Sequence, residues 1–185
     1  MTVKSLACAA ALSLCLLEVI PLHLAAQAQT MSEYQLKAAF LVNFGKFIDW
    51  PEADFSNSNV PFVIGVIGAD PFGDDLDEAI KGKSIGAHPI VARRISSGGD
   101  TSGLELAFIG SSEKTRLAET LRRLNASSAV SVSDIDRFCE AGGIIAFVVD
   151  NNRIRFEVNV DAAQKRNLKI SSKLLSLALI HRTGH

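Results

Sequence analysis

Few residues in this chain combine the types and spacings that chemistry requires. Beyond the first thirty residues the histidines are His88, His181 and His185, with no HxH or HExxH pairing. His181 and His185 are spaced like two ligands on a helix, but Gly184 lies between them at a chain end, and a metal site needs three or four convergent ligands. Cys139 carries no local nucleophile signature. The glycine-bearing run at 65–73 stands between a strand pattern and a helix pattern, where a nucleotide fold holds phosphate. Its glycine spacing misses the dinucleotide fingerprint, no P-loop lysine follows, and Asp70 brings negative charge to the place a phosphate would take. That run therefore reads as a tight turn with a helix cap. No catalytic set, metal set or cofactor is expected, and the chain does not read as an enzyme.

Two features remain as candidate binding chemistry. Arg153, Arg155, Glu157 and Asn159 recur at period two, which places them on one face of a strand. Such a row is either a solvated sheet face or a surface for a partner or ligand, with Arg153, Arg155 and Glu157 as its candidate residues. The second is an apolar stripe, Leu36, Phe40, Phe44 and Phe47 with Trp50 beyond it. It reads as core, and any exposed part of it as a protein-binding patch.

The elements that position these residues follow from periodicity and punctuation. A helix is expected over 32–48 with Ser32 as N-cap, ended by Pro51. Residues 60–68 form an almost continuously apolar run, as in a strand buried on both faces. Asp70 and Pro71 suggest the N-cap and first turn of a short helix reaching Lys81. Strands are expected at 89–95, 104–109 and 129–132, with a helix capped by Ser111 or Ser112 reaching Leu124. Ser133 to Asp136 has capping-box spacing and suggests a short helix through Cys139. Runs at 144–149 and 153–160 flank the turn residues Asp150, Asn151 and Asn152, a hairpin pattern. Asp161 is the expected cap of a short helix ending near Asn167. Ser171 or Ser172 is that of a last helix with Leu174, Leu175, Ala178 and Leu179 as its apolar face. This alternation predicts an α/β fold: a three-layer sandwich with a mixed sheet of about six strands flanked by helices, closing in a C-terminal β-hairpin and helix.

The first residues read as an export leader. Lys4 supplies a positive start, 6–17 an apolar run shorter than the roughly 20 residues that span a bilayer, and Ala26-Gln27-Ala28 a small-x-small cleavage site. Leu14 before Cys15 and Ser5 three before Cys8 do not fit a lipoprotein site. The expected organisation is a signal peptide at 1–28 and a single α/β domain at 29–185, exported and not membrane-spanning after cleavage. Cleavage removes Lys4 and Glu18 together, so the net charge of −1 is unchanged. That is too neutral for a nucleic-acid footprint. It also removes Cys8 and Cys15 and leaves Cys139 alone. Cys139 is then a buried small hydrophobe or a free thiol open to oxidation or to an intermolecular disulfide.

The run YQLKAAFLVNFGKFIDWP at 34–51 resembles the opening of the YfiR-like family of exported bacterial regulators. So do GGIIAFV at 142–148, RFEVN at 155–159 and LKISSKLL at 168–175, in that order. The likeness extends over about 33–182. It implies a periplasmic regulatory binding protein that inhibits or modulates an inner-membrane signalling protein, such as a diguanylate cyclase, through that partner's periplasmic domain. It thereby implies a place in cyclic-di-GMP signalling and the restraint of biofilm. The resemblance also implies control by paired cysteines, from which this chain departs, since Cys139 has no partner within the expected domain. The alternative is a periplasmic small-ligand-binding protein feeding a membrane sensor. A homodimer stands open beside both readings.

Overall fold

The computed structural model describes residues 31–50 and 60–182. The expected leader with Cys8 and Cys15, the helix-ending Pro51, and His185 lie outside the described residues.

Helix α1 (Glu33–Lys46) opens the fold. Ser32 caps it reciprocally: Gln35 N–H donates to Ser32 Oγ at 3.1 Å, and Ser32 N–H donates to Gln35 Oε1 at 2.9 Å. Two N-terminal donors that the helix cannot itself satisfy are thus paired. The helix ends two residues earlier than the sequence suggested, because Ile48–Asp49 leaves it as strand β1. Trp50 Nε1 then donates back to Gly45 C=O at 2.8 Å.

The parallel part of the sheet comprises β2 (Phe62–Ile67), β4 (His88–Ile95), β5 (Leu106–Ile109), β6 (Val130–Ser133) and β7 (Ile145–Asp150). The short β3 (Ser84–Ile85) runs antiparallel along β4. β8 (Arg153–Asn159) runs antiparallel to β7, and β10 (Leu179–His181) runs parallel to β8 at the far edge. The full order is β10-β8-β7-β6-β5-β2-β4-β3, eight strands rather than about six. A separate two-stranded ribbon joins β1 to β9 (Lys169–Ile170).

Helices cover both faces of this mixed sheet. α1, α2 (Asp74–Ile80), α4 (Val160–Lys165) and α5 (Ser172–Leu175) pack on one face, burying Phe44, Phe62, Ile64, Leu76, Phe108 and Phe156 among others. α3 (Leu117–Asn125) and the turn segment at 134–142 cover the other, with Ile67, Ile109, Leu121, Leu124 and Phe138. Neighbouring strand residues alternate between the two clusters, Val66 to one and Ile67 to the other. That explains why β2 reads as continuously apolar.

Several local expectations are corrected. Asp70 does not cap α2, which begins at Asp74 after Gly73. Its carboxylate instead accepts from Phe72 N–H at 2.8 Å and from Arg94 Nε at 3.0 Å. A 3-10 helix (Ser111–Arg116) precedes α3, and Ser112 caps neither. Residues 134–139 form turns, not a helix: Arg137 has φ 59°, a left-handed conformation that interrupts helical hydrogen bonding. Asn159, not Asp161, caps α4, accepting from Ala162 N–H at 2.9 Å. The last helix stops at Leu175, and Leu179 belongs to the edge strand β10. The hairpin is as expected. Asn151 and Asn152 take φ 49° and 57°, the paired left-handed turn that matches strand twist and that Asn tolerates well.

Candidate functional site

In a doubly wound sheet a ligand sits outside the carboxyl ends of the strands, where the strand order reverses. Here β4 and β5 flank β2 on opposite sides, so that place is the crevice between the ends of β2 and β5. It is filled. Gly110 N–H donates to Ile67 C=O at 2.9 Å, and Ala69 N–H donates to Ser112 Oγ at 2.8 Å. A Cβ on Gly68, at φ 87°, would stand 2.4 Å from Ser112 Oγ, and one on Gly110 would stand 2.6 Å from Ala69 C=O. The two glycines let the loops close to contact. Beneath them Glu113, 1 % exposed, accepts from Ser97 Oγ at 3.1 Å, while Arg116 approaches its other oxygen at 3.5 Å. Residues 68–73 thus form a turn packed against the loop at 110–112.

An open groove lies farther along the same end of the sheet. A groove of about 430 Å³ runs beside β7, between residues 146–149, the turn at 134–137 and the first two turns of α1. Its floor is an ion-pair cluster. The Lys37 ammonium lies 2.6 Å from Asp134 Oδ2 and 2.5 Å from Glu33 Oε1. It sits 4.5 Å from the centre of the Tyr34 ring, whose hydroxyl donates to the same Asp134 oxygen at 3.0 Å. Burial works to lower the Lys37 pKa, but the hydrogen bonds to Asp134 and Glu33 outweigh it and the pKa is raised. Burial, then the Asp134 charge, raises that of the Tyr34 phenol. Lys37 is thus a fixed cation already balanced by two carboxylates, and Asp134 is held between it and Tyr34.

Phe40 and Phe44 of α1 anchor this helix to the hairpin. Phe44 lies 5.0 Å from Phe156 and 5.7 Å from Phe147 between ring centres, and Phe40 lies 5.6 Å from Phe156. The aromatic stripe read from the sequence is therefore core at Phe44 and half-buried packing at Phe40 and Phe47, with no bare patch.

Of the expected polar row, only Glu157 lines the groove. It pairs with His181 Nδ1 at 3.2 Å. Arg155 lies farther toward the hairpin tip and binds Asp150 at 2.9 Å, and Arg153 is exposed at the turn. Asn159 is buried, donating to Cys139 C=O at 2.8 Å. Cys139 is a free thiol 1 % exposed, and burial, with the nearby Glu157 second, pushes its pKa up to about 12. A protonated, enclosed sulfur is a poor nucleophile and a poor disulfide partner.

Lys37, Asp134 and Val149 were not singled out from the sequence. Lys37 did carry a signal: with Leu41 and Phe44 it makes a 37, 41, 44 stripe, a charge at a core position. Asp134 carried none, because it meets Lys37 across ninety-seven positions of chain. Among the described residues no three His, Cys, Asp or Glu cluster as a metal site, and no helix is long and apolar enough to cross a membrane.

A family model described as YfiR/HmsC-like matches residues 34–179. No curated protein matches the chain.

Proposed function

This chain belongs to the YfiR/HmsC-like family, and we propose from that premise that it is a periplasmic regulator that binds and restrains an inner-membrane diguanylate cyclase. The supporting observation is the family match over 34–179, which takes in α1, the whole parallel sheet and the β7–β8 hairpin. The geometry is congenial to such a role. The crevice where an α/β sheet holds a small molecule is packed shut, and an open groove runs along a strand edge. Work by surface complementarity, with no covalent step, suits a regulator that must release its partner. A switch shifts only by differential affinity for two states of that partner. Export by the residue 1–28 leader places the 29–185 domain beside the partner's periplasmic part.

The test is affinity capture from a membrane extract in mild detergent. A diguanylate cyclase with a periplasmic domain is the expected catch, and its activity is expected to fall when this protein is added back. Capture of no membrane protein, or a cyclase indifferent to the addition, overturns the reading.

A further inference from the structure

β7 outruns its neighbour. The β6 register ends with Ser133 opposite Ala146, whereas the β8 register continues to Asp150 opposite Arg153. Residues 147–150 thus overhang by about 13 Å at roughly 3.3 Å per residue. In an antiparallel ladder alternate residues turn both backbone polar groups toward the partner, and the others turn both away. Asn159 N–H donates to Ile144 C=O at 2.8 Å. That places residue 144, and by the same period 146, 148 and 150, on the β8 side. Val149 therefore directs its N–H and C=O to the opposite side, where β6 has stopped and the groove begins. Val149 is also 71 % exposed. A bare strand edge with an apolar side chain is a template for one more strand.

The charges around the edge say what that strand carries. Glu33, Asp134, Asp136 and Glu157 line the groove against Lys37 and Arg137. Lys37 is already neutralised by Glu33 and Asp134, and Arg137 is held by Glu140. The Asp136 side chain is 90 % exposed and pairs with Lys114 at 3.8 Å. The groove is therefore acidic toward an incoming chain.

We propose that the β7 overhang is a strand-accepting edge that takes an extended, basic segment of the partner protein, its backbone pairing with Val149 and its Lys or Arg side chains meeting Asp136 and the groove carboxylates. The proposal rests on the regulator reading for the partner's identity, and on the edge geometry for its mode of binding.

The probe is the peptide acetyl-Lys-Val-Lys-Val-Lys-Val-amide, titrated into protein expressed from the full-length sequence and followed by backbone amide NMR. Saturable binding is expected, with shifts centred on residues 147–150. Binding is expected to weaken by about tenfold or more when alternate peptide amides are N-methylated, or when Glu replaces Lys. Val149→Pro removes the outward N–H, a change tolerated at a strand edge, and is expected to abolish the shifts. Asp136→Lys, at an exposed turn position that leaves the fold alone, is expected to weaken the Lys peptide and to strengthen the Glu peptide. Binding indifferent to N-methylation and charge, shifts centred elsewhere, or no binding at 1 mM peptide overturns the proposal. So does a concentration-dependent dimer that Val149→Pro dissolves, since a second copy is then the occupant. In the membrane capture, a cyclase recovered equally by wild type and by both variants overturns the edge and leaves the regulator reading standing. Peptide binding at 147–150 by a wild type that captures no cyclase sustains the edge and overturns the regulator reading.

Discussion

The ends of β2 and β5 and the overhang of β7 lie at the same end of one parallel sheet, yet they are finished in opposite ways. At β2 and β5 two glycines let the loops meet, a serine hydroxyl takes the nearest amide, and a buried glutamate fills the space beneath. At β7 the neighbouring strand stops four residues short, and an edge stands open over an ion-pair floor. The difference teaches that a strand order suited to ligand binding does not by itself make a ligand site. The loops that close the strand ends decide whether a crevice exists, and here the opening lies instead where strand lengths are mismatched.

The comparison breaks most visibly if the open end loses its support. Phe44 is fully buried against Phe147 and Phe156. Phe44→Ala is expected to cost about 3–5 kcal/mol in urea unfolding, and Phe44→Leu markedly less. A loss under about 1 kcal/mol shows that the hairpin stands without α1. A smaller effect is expected at the sealed end. Gly110→Ala drives a methyl toward Ala69 C=O, a backbone atom that cannot swing aside. The expected loss is about 1–3 kcal/mol. An unchanged melting curve means that these loops part freely and the two regions differ less than they look.

The smallest effect concerns the layer behind the hairpin. The Cys139 thiol has its folded pKa raised to about 12, against about 8.5 in an unfolded chain. Between those values the unfolded state releases a proton that the folded state keeps, so stability falls as pH rises. Wild type is therefore expected to lose about 0.7 kcal/mol more than Cys139→Ala between pH 8 and pH 9. Parallel pH profiles for the two proteins show instead that the sulfur is wetted.

Much of the fold was legible because its signals are local. Ser32 with Gln35 three residues on, and Asn151-Asn152 between two β-patterned runs, act through neighbouring backbone alone. Failures came where local spacing met a tertiary demand. Ser133 has a cap's spacing to Asp136, but its hydroxyl donates to Ile109 C=O at 2.7 Å while accepting from Ile135 N–H, and Arg137 then turns left-handed. Ala178 and Leu179 continue a helical period, but the edge beside β8 recruits Leu179 into a strand. The row at 153, 155 and 157 was legible as a strand face, and only Glu157 of it reaches the groove. The groove itself was not legible, because it arises from the difference in length between β6 and β7 and from a lysine and an aspartate ninety-seven positions apart. No window of sequence contains either.

The overhang also has a bearing on how this protein behaves in crowded company. An uncapped strand edge invites stacking of identical chains, the first step toward aggregation. Three features described above act as gatekeepers: the edge is only a few residues long, it carries one strongly exposed apolar side chain, and acidic groups border it. Two copies meeting edge to edge would bring like charges together, whereas a basic strand meets the opposite sign. The same carboxylates that would attract a basic segment would disfavour edge-to-edge pairing of two copies.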